Sequence, residues 1–162
     1  MFADAPEKYR TRAPRFMDAT ELMPVGRDYY GRDAFLHPLA AQAWLGLVAA
    51  ANQDGMVLLL ISAFRSIERQ KQIIQKKRDR GLAWDEILRF SAFPGFSEHH
   101  TGCAVDIASR DCPDLIMDFE HTPEYRWLTA KADSFGFVMT YPRGNQFGVE
   151  FEPWHWMWHN KD

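Results

Sequence analysis

Cysteine is scarce in this chain: Cys103 and Cys112 are the only two among 162 residues. Two cysteines make no disulfide framework. There is no CxxC pair, and neither residue stands in a ligand or nucleophile pattern. Cys103, between Gly102 and Ala104, reads as a small residue at the entry to a strand. Long apolar runs are missing as well. The longest, Met56 to Ile61, is far too short to span a bilayer, so no transmembrane segment is expected. The first fifteen residues are charged and contain proline, without the apolar stretch of a signal peptide. The default expectation is a cytoplasmic protein, with the periplasm or cell wall open if an export signal is missing from this chain. An excess of one charge is also lacking. The net charge of -3 speaks against nucleic acid as the main partner. Internal repeats, low-complexity tracts and domain linkers are absent.

What is present is an ordinary globular composition, 46% hydrophobic and 25% charged, enough for one domain with a real core. Residues 1–35 carry Pro6, Pro14, Pro24 and Gly26 and little periodicity. They read as an N-terminal arm laid on a domain at 36–162, with Tyr29 and Tyr30 as its anchors. His37-Pro38 opens a helix with Leu39, Trp44, Leu45, Leu47 and Val48 as its apolar stripe. Met56 to Ile61 reads as a buried strand. Ser66 caps a helix running to about Arg80, whose basic tail is a solvated face, and a short helix follows over Trp84 to Phe90. Ala104 to Ile107 reads as a strand, and Thr122-Pro123-Glu124 starts a helix that ends before Gly136. Strands are expected at Phe137 to Tyr141 and Phe147 to Phe151, with an extended piece over Trp154 to Trp158. Helices early and strands late suggest an α+β fold.

Chemistry concentrates in two stretches. In Ser97-Glu98-His99-His100-Thr101-Gly102-Cys103-Ala104-Val105-Asp106, a His and an Asp stand seven residues apart. Strand alternation puts Asp106 and Ala104 on one face and Val105 and Ile107 on the other, so Asp106 points into a cleft when the apolar face packs inward. Gly102 permits a turn or close approach that a side chain would block. His100 is expected to point elsewhere and to act only behind the site. In Glu152-Pro153-Trp154-His155-Trp156, a second His follows a Glu by three residues, and the flanking tryptophans are candidates to wall off water. Glu150 is a rival to Glu152 for acid–base work. His37, His121 and His159 read as structural or surface residues. Two imidazoles and two carboxylates fit a hydrolytic zinc site: three protein ligands, an open position, and a base beside it.

The stretch Ser97-x-His99-x-x-Gly102-x-Ala104-x-Asp106 resembles the SxHxxGxAxD signature of the zinc D-alanyl-D-alanine carboxypeptidases. This group comprises the VanY-like D,D- and L,D-carboxypeptidases and the D,D-dipeptidases. Glu152-Pro153-Trp154-His155-Trp156 resembles their second signature. Ser62-Ala63-Phe64-Arg65-Ser66 with Gln70 resembles their SGYRS…Q segment, and Phe135-Gly136-Phe137 with Tyr141-Pro142 their YGF…YP strand. The matches stand in family order across residues 60–158. The resemblance implies a single α+β domain of the hedgehog/D,D-peptidase type, with a small central antiparallel sheet and helices packed on it. It implies one zinc ion held by His99, Asp106 and His155, Glu152 as general base and then acid, and Arg65 as oxyanion stabiliser. Gln70 and Ser97 are then suited to hold substrate, although a cap or turn role for the Ser97 hydroxyl is equally open.

Some positions depart from the pattern. Phe64 replaces a frequent Tyr, Ala63 a Gly, and Met157 stands where relatives often carry Arg. The loop after Tyr141 is short. The expected activity is zinc-dependent removal of a C-terminal D-alanine from a peptidoglycan stem peptide, precursor or fragment. The alternatives are an L,D-carboxypeptidase, a cell-wall endopeptidase of the same superfamily, or a zinc-bearing binding module without turnover. The presence of both Glu152 and Arg65 counts against the last.

Overall fold

The computed structural model describes residue 7 and residues 14–161; the remainder of the arm's first thirteen residues, and Asp162, lie outside the described residues. The described part of that arm is not simply extended. Strands β1 (Met23–Arg27) and β2 (Asp33–Leu36) form an antiparallel hairpin that straddles the boundary placed at residue 35. Its turn is made by Asp28, whose Oδ1 accepts from the N–H groups of Tyr30 (2.9 Å) and Arg32 (3.0 Å). An Asp side chain that bonds the backbone two residues on is turn chemistry in its own right. It lifts Tyr29 and Tyr30 into solvent, at 50% and 59% exposure, so neither is the anchor expected of it. The anchors are Ala34 and Leu36, which face the core.

Helix α1 (Pro38–Gln53) follows, with proline in its first turn as expected. Its buried face is Ala40, Ala41, Trp44, Leu47 and Ala51, at three- to four-residue spacing. Leu39 and Leu45, both expected in the stripe, are 47% exposed. Three alanines let the helix axis lie close to the sheet, a role that hydrophobicity alone does not reveal.

The central sheet has four antiparallel strands in the order β3-β4-β6-β5: β3 (Leu59–Ser62), β4 (Ala104–Ala108), β5 (Phe137–Met139) and β6 (His155–Trp158). Val105 and Ile107 of β4, Phe137 of β5 and Trp156 of β6 turn toward α1 and form the core. Burial of each such side chain stabilises by roughly 1.5–3 kcal/mol. Trp44 meets Phe137 edge-on at 6.4 Å. Helices α2 (Ile67–Asp79) and α3 (Trp84–Phe90) pack on each other through a second, smaller cluster, Ile74, Trp84, Ile87 and Leu88. Ser66 caps α2 as expected, its hydroxyl accepting from Arg69 N–H at 3.1 Å. Helix α4 (Pro123–Lys131) is capped by Thr122, whose hydroxyl accepts from Tyr125 N–H.

The strand expected at Phe147 to Phe151 does not form. Asn145 instead folds that segment into a loop: its Oδ1 accepts from Phe147 N–H (3.1 Å) and Val149 N–H (3.3 Å), while Nδ2 donates to Val149 O (2.7 Å). The extended piece expected over Trp154 to Trp158 is strand β6, which starts at His155. Among the described residues no helix is long and apolar enough to cross a membrane.

Candidate active site

With the apolar face of β4 turned to the core, Asp106 is left on the opposite face, as strand alternation requires. There the sheet register sets His155 of β6 directly across from it. Asp106 Oδ1 lies 3.0 Å from His155 Nδ1, and Asp106 Oδ2 lies 3.1 Å from His99 Nε2. His99 comes from a 3-10 turn (Glu98–Thr101) that enters β4 through Gly102. That glycine has φ +70°, and a Cβ there would sit 2.8 Å from His37 N. Only glycine satisfies both conditions without strain. One ligand atom from each of His99, Asp106 and His155 lies within 4.8 Å of the others, and all three residues are buried.

The second nitrogen of each imidazole is already engaged. His99 Nδ1 donates to Ala63 O at 2.8 Å, which leaves Nε2 facing Asp106. His155 Nε2 meets Glu98 Oε2 at 2.8 Å, which leaves Nδ1 facing Asp106. Glu98 also accepts from Thr140 Oγ1 at 2.7 Å. Outer partners that fix imidazole tautomers in this way are characteristic of metal-binding histidines. Two imidazoles and a carboxylate converge in a buried pocket, with His99 Nε2 and His155 Nδ1 both turned to Asp106, a donor set that fits a divalent metal of the zinc type once the imidazoles are neutral.

Electrostatics follow from burial and pairing. Burial alone would raise the Asp106 carboxyl, but the His99 charge and the hydrogen bond from His155 hold it far below the ordinary carboxylate range. Burial would lower His155, yet its hydrogen bonds to Asp106 and Glu98 carry it up to about 10. Burial drives His99 below its ordinary value, toward the neutral form a metal needs.

Glu152 also lies in this cavity, buried, and burial pushes its carboxyl up to about 8, with Asp106 adding to the rise and His155 opposing it. Its rival Glu150 is outside the cavity, 3.3 Å from Arg89 on the surface. Arg65 faces the cavity with a buried Nε that has no hydrogen-bond partner; its electrostatic partners are Asp106 and Glu152, and burial lowers its pKa. Its backbone is held on both sides: Arg65 N–H donates to His99 O (3.1 Å), and His100 Nδ1 donates to Arg65 O (2.6 Å). Gly95 N–H donates to His100 Nε2 at 3.1 Å, so His100 is a neutral clamp behind the site, as its position suggested.

Gln70 and Ser97 line the same cavity. Gln70 Nε2 donates to Ala92 O at 2.7 Å, and its buried Oε1 has no partner. The Ser97 side chain makes no cap bond, which removes the cap reading. Of the two tryptophans flanking His155, Trp154 lines the cavity. Trp156 turns into the core, its Nε1 donating to Pro153 O, and walls off nothing. Tyr141 covers the other side of His155, ring centroids 4.9 Å apart. The cavity, about 820 Å³, runs from the His–Asp–His cluster past Arg65 and Gln70 to Lys77 and Phe90.

The family model described as VanY, D-alanyl-D-alanine carboxypeptidase, matches residues 33–161. The chain belongs to this family. A D-alanyl-D-alanine carboxypeptidase of Enterococcus faecalis is 34% identical over 120 residues, covering 68% of this chain and 43% of that protein. The chain spans roughly half the length of the curated relatives it matches. Among solved structures, the LdcB LD-carboxypeptidase superposes with TM-score 0.79 at 29% identity, over 92% of this chain and 72% of that one. The D,D-pentapeptidase VanY from a VanB-type resistance cassette, in complex with Zn(II), gives TM-score 0.68 at 27% identity, over 92% and 83%. The VanY-family fold is thus an α+β domain in which the His–Asp–His cluster, Glu152 and Arg65 of this chain share one cavity.

Proposed function

We propose that this chain is a zinc-dependent peptidase that removes a C-terminal D-alanine from peptidoglycan-type peptides. The observation that carries the reading is that a buried Glu152 and Arg65, whose buried Nε has no hydrogen-bond partner, line one cavity with the His99–Asp106–His155 cluster. His99 Nε2, an Asp106 oxygen and His155 Nδ1 would hold the metal. Bound there, zinc supplies an acidified water and a Lewis-acid contact to the scissile carbonyl.

The chain's own groups account for the rest. Ionised Glu152 accepts a proton as the nucleophile attacks and carries it on its carboxyl to the leaving amine. A carboxyl pushed upward by burial suits both halves of that exchange. The Arg65 guanidinium donates to the developing oxyanion. It is held in place by its backbone, so it needs no reorganisation; one such donor typically contributes 10²–10³ in rate. Trp154 and Tyr141 exclude bulk water on the His155 side, which strengthens each of these interactions. Ser97 Oγ and the Gln70 amide, which line the same cavity, would hydrogen-bond the peptide backbone. The unpartnered Gln70 Oε1 is an acceptor and calls for an N–H rather than a carboxylate.

The likeness to the LdcB LD-carboxypeptidase supports a second reading, cleavage after an L-configured centre. Mass spectrometry of stem peptides ending in D-Ala-D-Ala, or in a D-Ala that follows an L-centre, separates the two. Loss of one terminal alanine from the first set supports the D,D reading, and from the second the L,D reading. Internal fragments would point to an endopeptidase, and no product from any peptide despite bound zinc would contradict both readings.

A further inference from the structure

Beyond the cluster, the cavity holds a cation that the reaction does not use. Lys77 lies on α2, two turns past Gln70, and its side chain is partly buried in the cavity wall. Its ammonium donates to Ser91 Oγ at 2.6 Å. No carboxylate pairs with it among the described residues. The charges acting on it are those of Arg65 and Arg80, which, after burial, lower its pKa further. Three exposed cations of this region have acidic or amide partners: Lys71 has Glu68, Arg69 has Gln72, and Arg89 has Glu150. A half-buried ammonium with a single neutral partner and two donor protons to spare is an incomplete arrangement.

Ser91 and Ala92 are consecutive, and they hold Lys77 and Gln70 respectively. Both side chains are thus tied to one two-residue segment of the wall, in the cavity that Arg65 also lines. Ser91 itself lines the cavity, so its hydroxyl and the ammonium face the same space. The pair offers O–H and N–H donors to an anion, with the planar, two-oxygen geometry of a carboxylate as the matching acceptor.

We propose that Lys77 and Ser91 form a carboxylate-recognition subsite of the peptide cleft, so that the substrate is a peptide bearing a carboxylate that reaches this wall of the cavity. This rests on the peptidase reading above and deepens it. The carboxylate has two possible sources, the α-carboxylate at the peptide's C-terminus and a side-chain carboxylate on a residue upstream of the scissile bond.

The test uses the zinc-loaded full chain and one stem-type peptide in four forms: both carboxylates free, the C-terminal one amidated, the side-chain one amidated, and both amidated. Steady-state kinetics are followed by mass spectrometry for wild type, Lys77→Met and Lys77→Arg. Amidation of the recognised carboxylate is expected to raise KM about tenfold to a hundredfold in wild type, the range of a charge-assisted hydrogen bond. In Lys77→Met that ratio collapses toward one, and Lys77→Arg restores most of it. Whichever amidation produces the effect identifies the source. A ratio that stays the same in wild type and Lys77→Met overturns the subsite while leaving the peptidase reading intact. If no form is cleaved, the peptidase reading fails. Calorimetric titration of the same four peptides into wild type and Lys77→Met then decides the subsite by the same ratio.

Discussion

His100 Nδ1 donates to the backbone oxygen of Arg65 at 2.6 Å, and together with the Arg65 N–H to His99 O bond this ties the arginine's backbone to the turn that bears a cluster histidine. Arg65 and His99, 34 positions apart in sequence, thus share one frame, which would couple the proposed oxyanion contact to the proposed metal ligand. His100→Phe keeps a flat aromatic ring, slightly larger than imidazole, but loses both its hydrogen bonds. Its kcat is expected to fall about tenfold or more while zinc stoichiometry stays at one. A variant that loses zinc as well would show that the bond supports the metal site and not Arg65.

Glu98 and His155 make the corresponding outer contact on the metal side, at 2.8 Å. Glu98→Gln keeps the shape and removes the charge. Competition with a chromophoric chelator is expected to show zinc affinity weaker by about 10–100-fold, the usual cost of losing such an outer partner. Unchanged affinity would mean that Glu98 only fills space.

Glu152 links stability to pH in the metal-free protein. Burial raises its carboxyl from an ordinary 4.5 to about 8, so the folded chain keeps a proton that the unfolded chain sheds. With fewer protons on the unfolded state, this group's contribution makes stability fall as pH rises from about 4.5 to about 8. Metal-free Glu152→Gln lacks that slope. Denaturant unfolding at pH 7–8 is expected to show it more stable than metal-free wild type by ~1–3 kcal/mol, with the difference vanishing below pH 4.5. A wild type that gains stability across this window relative to the variant would contradict the buried, proton-holding carboxyl.

Gly102 is fixed by both its φ of +70° and the 2.8 Å approach of His37 N. Gly102→Ala is expected to cost ~2–4 kcal/mol, as strain in the left-handed region adds to a backbone clash. Thermal unfolding measures it, and a loss under 0.5 kcal/mol would show that the turn relaxes freely.

The cluster was legible in the chain because its residues sit in two short segments whose spacing and local breakers are distinctive. His99, Gly102 and Asp106 fall within eight residues, and strand alternation alone turned Asp106 away from the core. What brings His155 to Asp106 is a pairing of β4 with β6 across 49 positions, and no local pattern encodes which strands pair. The same limit hid Glu98: its partners, His155 and Thr140, are distant in sequence, and a Glu beside two histidines reads as solvated. The hairpin at 23–36 is hard to read in the sequence because its strands are short and its turn combines Gly31, at φ +77°, with bonds from the Asp28 side chain. The expected strand at Phe147 to Phe151 failed for a related reason, since Asn145 offers that backbone a set of bonds that compete with a sheet. Leu39 and Leu45 were misplaced because alanines carry much of the buried face of α1.

The most direct test of the account is reconstitution. Wild type and Glu152→Gln are stripped with chelator, titrated with zinc, and assayed for release of the terminal D-alanine at each step. Both are expected to take up one zinc, with wild-type cleavage rising from zero to its plateau at one equivalent and Glu152→Gln remaining about 10²–10⁴-fold slower when fully loaded. Cleavage by the stripped protein, or full activity in the loaded variant, would contradict it.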